Sequence, residues 1–128
     1  MSDRAELAAR YASMISELAS QGEELKEMIR SLEAQRARLE QQIRDLQERR
    51  RVLLHRLRDQ IQQLGPLGQP LAETVRALEA VIEDLESARY TLTEVKNRES
   101  SLTTLLAWVL RQLEVVGELR ERLKHIPR

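Results

Sequence analysis

The chain has 128 residues, of which Leu, Arg, Glu, Ala and Lys make up 72, a composition typical of long helices and coiled coils. It contains no Cys, no Phe, four Gly and three Pro, which excludes a disulfide framework, thiol chemistry and cysteine zinc sites, and argues against sheet folds that need many turns. The 21 basic residues balance 21 acidic ones, so no net charge attracts nucleic acid or an anionic membrane.

The first predicted element is a helix over about residues 3–64, because apolar residues recur in two series with a seven-residue period. Gly65-Pro66 then ends the helix, since Gly suits a left-handed cap and Pro cannot continue the hydrogen-bond ladder. Ser20-Gln21-Gly22-Glu23 reads as a capping box, which predicts a bend or restart near residues 20–22. The two series are Tyr11, Leu18, Leu25, Leu32, Leu39, Leu46 and Leu53, and Ile15, Gly22, Ile29, Arg36, Ile43, Arg50, Leu57 and Leu64.

The second predicted element follows a turn at residues 65–70 and is a helix over about residues 71–125. Pro70 suits the first turn, where its missing N–H costs nothing. The modest helix propensity of residues 97–101 predicts a second possible break there. Its two series are Leu71, Leu78, Leu85, Leu92, Glu99, Leu106 and Leu113, and Thr74, Val81, Ala88, Val95, Leu102, Val109, Val116 and Leu123.

The short connection between the helices predicts antiparallel neighbours, and therefore an all-α, antiparallel coiled-coil hairpin that forms one elongated domain over residues 1–128. Folding about residues 67–68 brings together positions whose numbers sum to about 135. This mirror places the arginine-rich segment 44–58 opposite roughly residues 77–91, which overlap the acidic segment 73–86. The overlap supports the pairing because flanking charges select partner and orientation in coiled coils. It also places Arg36 level with Glu99, so we expect these two polar seam residues to pair and fix the register.

The end of the hairpin opposite the turn, here called the open end, carries more apolar residues than one seam requires. A surplus apolar face on a helix is normally covered by another surface, and a second copy that completes a four-helix bundle is the expected cover. The predicted homodimer or partner interface comprises Leu7, Tyr11, Met14, Leu18, Leu105, Trp108, Val109 and Gln112.

A second candidate surface is a stripe of arginines on the first helix that could track phosphates or another anionic partner. No aromatic residues interleave to stack on bases, and acidic residues of the second helix lie at the same level. Pairing with carboxylates is therefore the favoured role of the stripe, and nucleic-acid binding is the alternative. The stripe comprises Arg44, Arg49, Arg51, Arg56 and Arg58.

Catalytic, cofactor and metal sites are not expected. The sequence has no glycine-rich phosphate loop, no Ser-His-Asp constellation and no paired carboxylates in an apolar setting. The N-terminal residues lack the pattern of a signal peptide, and the apolar stretch 105–110 is too short to span a bilayer, so we expect a soluble cytoplasmic protein.

The sequence therefore predicts a non-enzymatic coiled-coil scaffold or adaptor that self-associates. In outline the hairpin is similar to the export-ATPase stalk proteins of flagellar and type III secretion systems, which are charged helical hairpins of comparable size. The resemblance is architectural, covers the whole chain and implies a binding module for a protein machine as an alternative function. Salt-dependent retention on heparin would instead favour nucleic-acid binding.

Overall fold

The computed structural model describes the backbone of residues 3–64 and 69–127. Helix α1 spans Asp3–Leu64 and helix α2 spans Gln69–Lys124, and the two pack against each other as a hairpin. The predicted all-α, coiled-coil hairpin is thereby confirmed. The predicted cap and turn at residues 65–68 lie outside the described residues. Helix α2 begins two residues earlier than expected, so that Pro70 lies in its first turn.

The two seven-residue series of each helix form the seam between them. Every described member of the four series is buried or half-buried, including the polar interruptions Arg36, Arg50 and Glu99. A period of seven keeps these positions on one face of each helix, so a single apolar seam holds the pair together. The positions immediately beside the seam are mostly exposed.

Packing divides the chain into two compact units, unit 1 (Met1–Glu33 and Asn97–Arg128) and unit 2 (Ala34–Lys96). The prediction of a single elongated domain stays a prediction. The core of unit 2 is a cluster of buried seam residues with half-buried residues packed against it. The buried members are Ile43, Leu53, Val81, Leu85 and Ala88, and the half-buried ones are Leu46, Ala77, Leu78 and Leu92.

The register of unit 1 is shown by the position of Gly22 against α2. A Cβ atom built on Gly22 would lie 3.9 Å from Cγ1 of Val109, so positions 22 and 109 oppose each other. The predicted sum of 135 would have placed residue 113 there, one helical turn away. In an antiparallel coiled coil, residues of one seam series of α1 lie level with residues of the complementary seam series of α2. Folding the sequence about the turn by residue number alone does not include this requirement. The resulting sum of 131 is compatible with the core cluster of unit 2, which contains both Ile43 and Ala88.

Both helices are continuous at the two places where breaks were expected. Helix α1 passes through residues 20–22 without interruption, and Gly22 is buried there in contact with α2. Helix α2 passes through residues 97–101, and the hydroxyls of Thr103 and Thr104 donate to the carbonyls of Glu99 and Ser100, four residues earlier. These local bonds satisfy the hydroxyls without interrupting the helix.

Candidate functional site

Helix α2 carries a second apolar series in unit 1, beside the seam. Leu105, Trp108, Gln112, Val115 and Leu119 are spaced alternately by three and four residues, which is the spacing of a coiled-coil seam. Leu105 and Trp108 are 46% and 56% exposed, and Val115 and Leu119 are also exposed. This part of α2 therefore has one seam that packs against α1 and a second that packs against nothing in the chain's described residues.

Helix α1 adds exposed apolar side chains to the same side of unit 1. Met14 precedes the seam residue Ile15 by one position, and Leu7 precedes the half-buried Ala8, one period before Ile15. In α2, Leu105 precedes the seam residue Leu106, and Leu119 precedes the half-buried Arg120, one period after Leu113. The helices of an antiparallel pair are related by an approximate two-fold axis normal to the plane that contains them. Residues that precede the seam in both helices therefore lie on one side of the pair. We call this surface the lateral apolar face: Leu7, Met14, Leu105, Trp108, Gln112, Val115 and Leu119.

The predicted interface residues fall into two groups. Leu7, Met14, Leu105 and Trp108 are exposed on the lateral apolar face, and Gln112 is half-buried at its centre. Tyr11 and Leu18 are half-buried members of the seam between α1 and α2.

Val109 is a correction to the predicted interface. Only 2% of this residue is exposed, because it packs against α1 at Gly22. Its side chain stabilises the hairpin and is not available to a partner.

Two members of the lateral apolar face, Val115 and Leu119, were not identified from the sequence. The spacing 105, 108, 112, 115, 119 contained the necessary signal. It was obscured because the strong seam series lies one residue away, at Leu106, Val109 and Leu113.

Arg4 closes the open end of unit 1. Its guanidinium donates to the carbonyl of Leu123 at 2.7 Å and to that of Lys124 at 3.1 Å. These are among the last carbonyls of α2, which have no partner within the helix and carry partial negative charge. The sequence signal for this role was the position of Arg4, seven residues before the seam residue Tyr11.

A shallow groove surrounds this contact and is lined by both helix ends of unit 1. Its apolar walls include Leu7, Leu123 and Ile126, and its charged residues include Arg4 and Lys124. Leu7 also belongs to the lateral apolar face, so the groove adjoins that face.

The arginine stripe lies on exposed positions of α1 in unit 2. Arg51 donates to Glu48 through Nε and Nη2, and Arg44 donates to the amide oxygen of Gln41. The hydrogen bond from Arg51, reinforced by its charge, lowers the pKa of the Glu48 carboxyl. Part of the stripe is thus engaged by its own helix. The remaining members show no ion pair within the part of the chain that the structure describes: Arg49, Arg56 and Arg58.

The predicted register pair, Arg36 and Glu99, consists of two half-buried seam residues. Arg36 lies 4.0 Å from Glu40 on the next turn of α1. The pairing of Arg36 with Glu99 stays a prediction.

Metal binding and membrane insertion have no candidate site among residues 3–64 and 69–127. No cluster of three or more His, Asp or Glu side chains in these ranges could hold a metal ion. No helix within them is long and apolar enough to cross a membrane.

A comparison with protein families identifies the model of Microtubule nucleation factor SSNA1, which matches residues 5–106. The match includes all of α1 except its first two residues and about two thirds of α2. Comparisons with curated proteins and with solved structures give no match.

Proposed function

The chain belongs to the Microtubule nucleation factor SSNA1 family, and we propose that it is a non-enzymatic coiled-coil scaffold that self-associates through the lateral apolar face and whose assemblies promote microtubule formation. Membership of the family points to microtubules as the target, and the exposed face gives copies of the chain a surface through which to associate. The proposal retains the predicted self-association and the predicted open-end interface, with Val115 and Leu119 added and Val109 removed.

The observation that carries the proposal is the second, unpartnered seam of α2. Trp108 is the only tryptophan of the chain and is 56% exposed, beside the exposed Leu105. Fully burying a large apolar side chain contributes roughly 1.5–3 kcal/mol, and these half-exposed residues offer a part of that each. Summed over the face, this gain can support association at micromolar concentration after the entropic cost of binding is subtracted.

The face also supports a particular arrangement of two copies. A second α2 that packs antiparallel on the first would place Trp108 against Leu119 and Gln112 against Val115. The residue numbers of both pairs have the same sum, which is the condition for both pairs to be level in one antiparallel register. In that register Arg111 of one copy lies near Glu118 of the other. Both side chains are exposed and make no ion pair within the described parts of the chain. Opposite flanking charges favour this orientation over the parallel one.

Self-association gives a physical reason for nucleation. Forming a microtubule seed is slow because several tubulin subunits must meet before their contacts become stable. An assembly that presents several copies of one tubulin-binding surface raises the local concentration of tubulin, so later subunits bind in effectively intramolecular steps. A monomer would hold one subunit and would lack this effect.

The proposal is tested by turbidity of purified tubulin below the concentration at which it nucleates by itself. We expect the wild-type protein to shorten the lag before assembly and the Leu105→Glu/Trp108→Glu variant to lose most of this effect. Val52→Glu/Tyr90→Glu is the matched control, because both residues are exposed and lie on unit 2. Circular dichroism establishes that all three proteins are equally helical.

Two outcomes contradict the proposal in different ways. A wild-type protein that leaves the lag unchanged contradicts the role in microtubule formation. A face variant that is as active as wild type contradicts the claim that assembly through the lateral apolar face is required.

A further inference from the structure

Unit 2 carries an apolar strip of its own, separate from the lateral apolar face of unit 1. Leu54 and Ile61 on α1 are 49% and 47% exposed, and Ile82 on α2 is 41% exposed. Val75 on α2 is half-buried. Leu54, Val75 and Ile82 each follow a seam residue by one position, and Ile61 follows the half-buried Gln60, one period after Leu53. By the two-fold relation between antiparallel helices, all four lie on one side of the pair. We call this surface the unit 2 strip.

The two edges of the unit 2 strip carry opposite charges. On the α1 edge, Arg51 and Arg58 lie three residues before and four residues after Leu54. On the α2 edge, Glu79 lies three residues before Ile82 and Glu86 lies four residues after it. Three of these charged residues are exposed and form no ion pair among the residues that the structure describes: Arg58, Glu79 and Glu86. The fourth, Arg51, pairs with Glu48 of the same helix.

We propose that the unit 2 strip binds the same strip of a second copy, with α1 of each copy lying across α2 of the other. A surface with one basic edge and one acidic edge is complementary to itself when it is rotated about an axis parallel to its helices. That rotation brings the basic edge of one copy onto the acidic edge of the other. Rotation about the perpendicular axis would place Arg on Arg and Glu on Glu, which is repulsive.

The register of the hairpin fixes which charges meet. Because both helices are uninterrupted, the sum of 131 found at Gly22 and Val109 carries along them and makes Glu79 level with Val52. In the pair of copies, the partner copy's Glu79 therefore lies between Arg51 and Arg58. The apolar residues of the two strips face each other between these charged edges. This is the arrangement of stable interfaces, in which an apolar centre is surrounded by a polar rim.

A second copy is favoured over a polyanion as the occupant. Phosphates could neutralise Arg51 and Arg58, but the acidic edge at Glu79 and Glu86 would repel them across the strip. A polyanion would also leave Leu54, Ile61 and Ile82 uncovered. A second copy covers the apolar residues and satisfies both edges at once.

The proposal is tested by charge exchange in the Leu105→Glu/Trp108→Glu background, where the lateral apolar face is blocked and the unit 2 strip is intact. Sedimentation equilibrium of this protein is expected to show dimers. Adding Glu79→Arg, or adding Arg51→Glu/Arg58→Glu, should raise the dissociation constant about tenfold or more, since each change places like charges in contact. Mixing the two variants should restore dimers, because the new acidic edge then meets the new basic edge. Glu83→Arg is the control, since Glu83 is exposed and lies off the strip.

Three results would overturn the proposal. The background protein could remain monomeric at every concentration, Glu79→Arg could leave the dissociation constant unchanged, or the mixture could stay as weakly associated as its components. Restoration on mixing cannot arise from loss of folding, so it separates a specific contact from general damage. None of these results depends on the lateral apolar face, which is tested by its own variants.

Discussion

Gly22 is the residue with the smallest side chain in the seam, and it lies beside Val109 of α2. Glycine in the middle of a helix costs stability because it gains more freedom than alanine when the chain unfolds. The space above Gly22 is large enough for a methyl group, since a Cβ would make an ordinary contact at 3.9 Å. The close approach therefore does not require glycine.

We accordingly expect Gly22→Ala to stabilise the protein by about 0.5–1 kcal/mol, which corresponds to a rise in Tm of roughly 2–4 °C. Gly117→Ala is the matched control, because nothing lies within 4 Å of a Cβ at that position. Gly117→Ala should gain the helix propensity of alanine without the contact that a methyl group at position 22 makes with Val109. Thermal unfolding followed by circular dichroism measures both. A Gly22→Ala protein that is less stable than wild type while Gly117→Ala is more stable would mean that the helices pack closer than the structure indicates.

The exposed ion pairs contribute less than such packing changes. Glu48 with Arg51 and Glu121 with Lys124 are pairs on one helix face, and the hydrogen bond within each pair lowers the pKa of its carboxyl. Both pairs are exposed to water, which screens their attraction. Their main consequence is local, in that they hold long side chains along the helix surface.

The two helices themselves were predictable from the sequence because the period of seven persists over their whole length. Their start and end were also predictable to within two residues from Gly65-Pro66 and Pro70. The continuity of α1 through residues 20–22 was not predictable, since a capping box signals a helix start only where the preceding backbone is not helical. Whether the preceding backbone is helical depends on how α1 packs against α2, and the local sequence does not carry that information.

The relative register of the helices was predictable only to about one turn. The mirror about the turn located the opposing segments, but the match between seam series fixed the pairing of Gly22 with Val109. The two proposed association surfaces were also predictable only in part, because they too depend on how the helices pack. Leu105 and Trp108 are conspicuous in the sequence, whereas the unit 2 strip is scattered over Leu54, Ile61, Val75 and Ile82 and becomes one surface only when the hairpin forms.

Register is tested with introduced cysteines, since the chain has none of its own. Gly22→Cys with Val109→Cys should form a disulfide within one chain under mild oxidation, because a Cβ at position 22 would lie 3.9 Å from Cγ1 of Val109, which places the two side chains in contact. Gly22→Cys with Leu113→Cys, the pair predicted by the mirror about the turn, should form it more slowly. Mass spectrometry of non-reduced peptides distinguishes them. Faster closure of the second pair, or bonds between chains only, would contradict the observed register.

At the scale of the whole molecule, the sequence separates two tasks along the same helices. The seam holds the hairpin together, and residues one position from the seam form surfaces available to partners. Unit 1 presents the lateral apolar face and unit 2 presents a strip with charged edges. A short charge-balanced chain can therefore act as an assembling scaffold, as its membership of the SSNA1 family also suggests.

The central claim is that copies associate through the lateral apolar face, and sedimentation equilibrium tests it most directly. Wild type, Leu105→Glu/Trp108→Glu and the control Val52→Glu/Tyr90→Glu are compared at equal concentration and equal helicity. Two acidic charges in an apolar contact oppose association because they would lose their water without gaining partners. We predict that the weight-average mass of the face variant falls to half the wild-type value or less, while the control keeps the wild-type mass. A face variant with the wild-type mass would contradict the account.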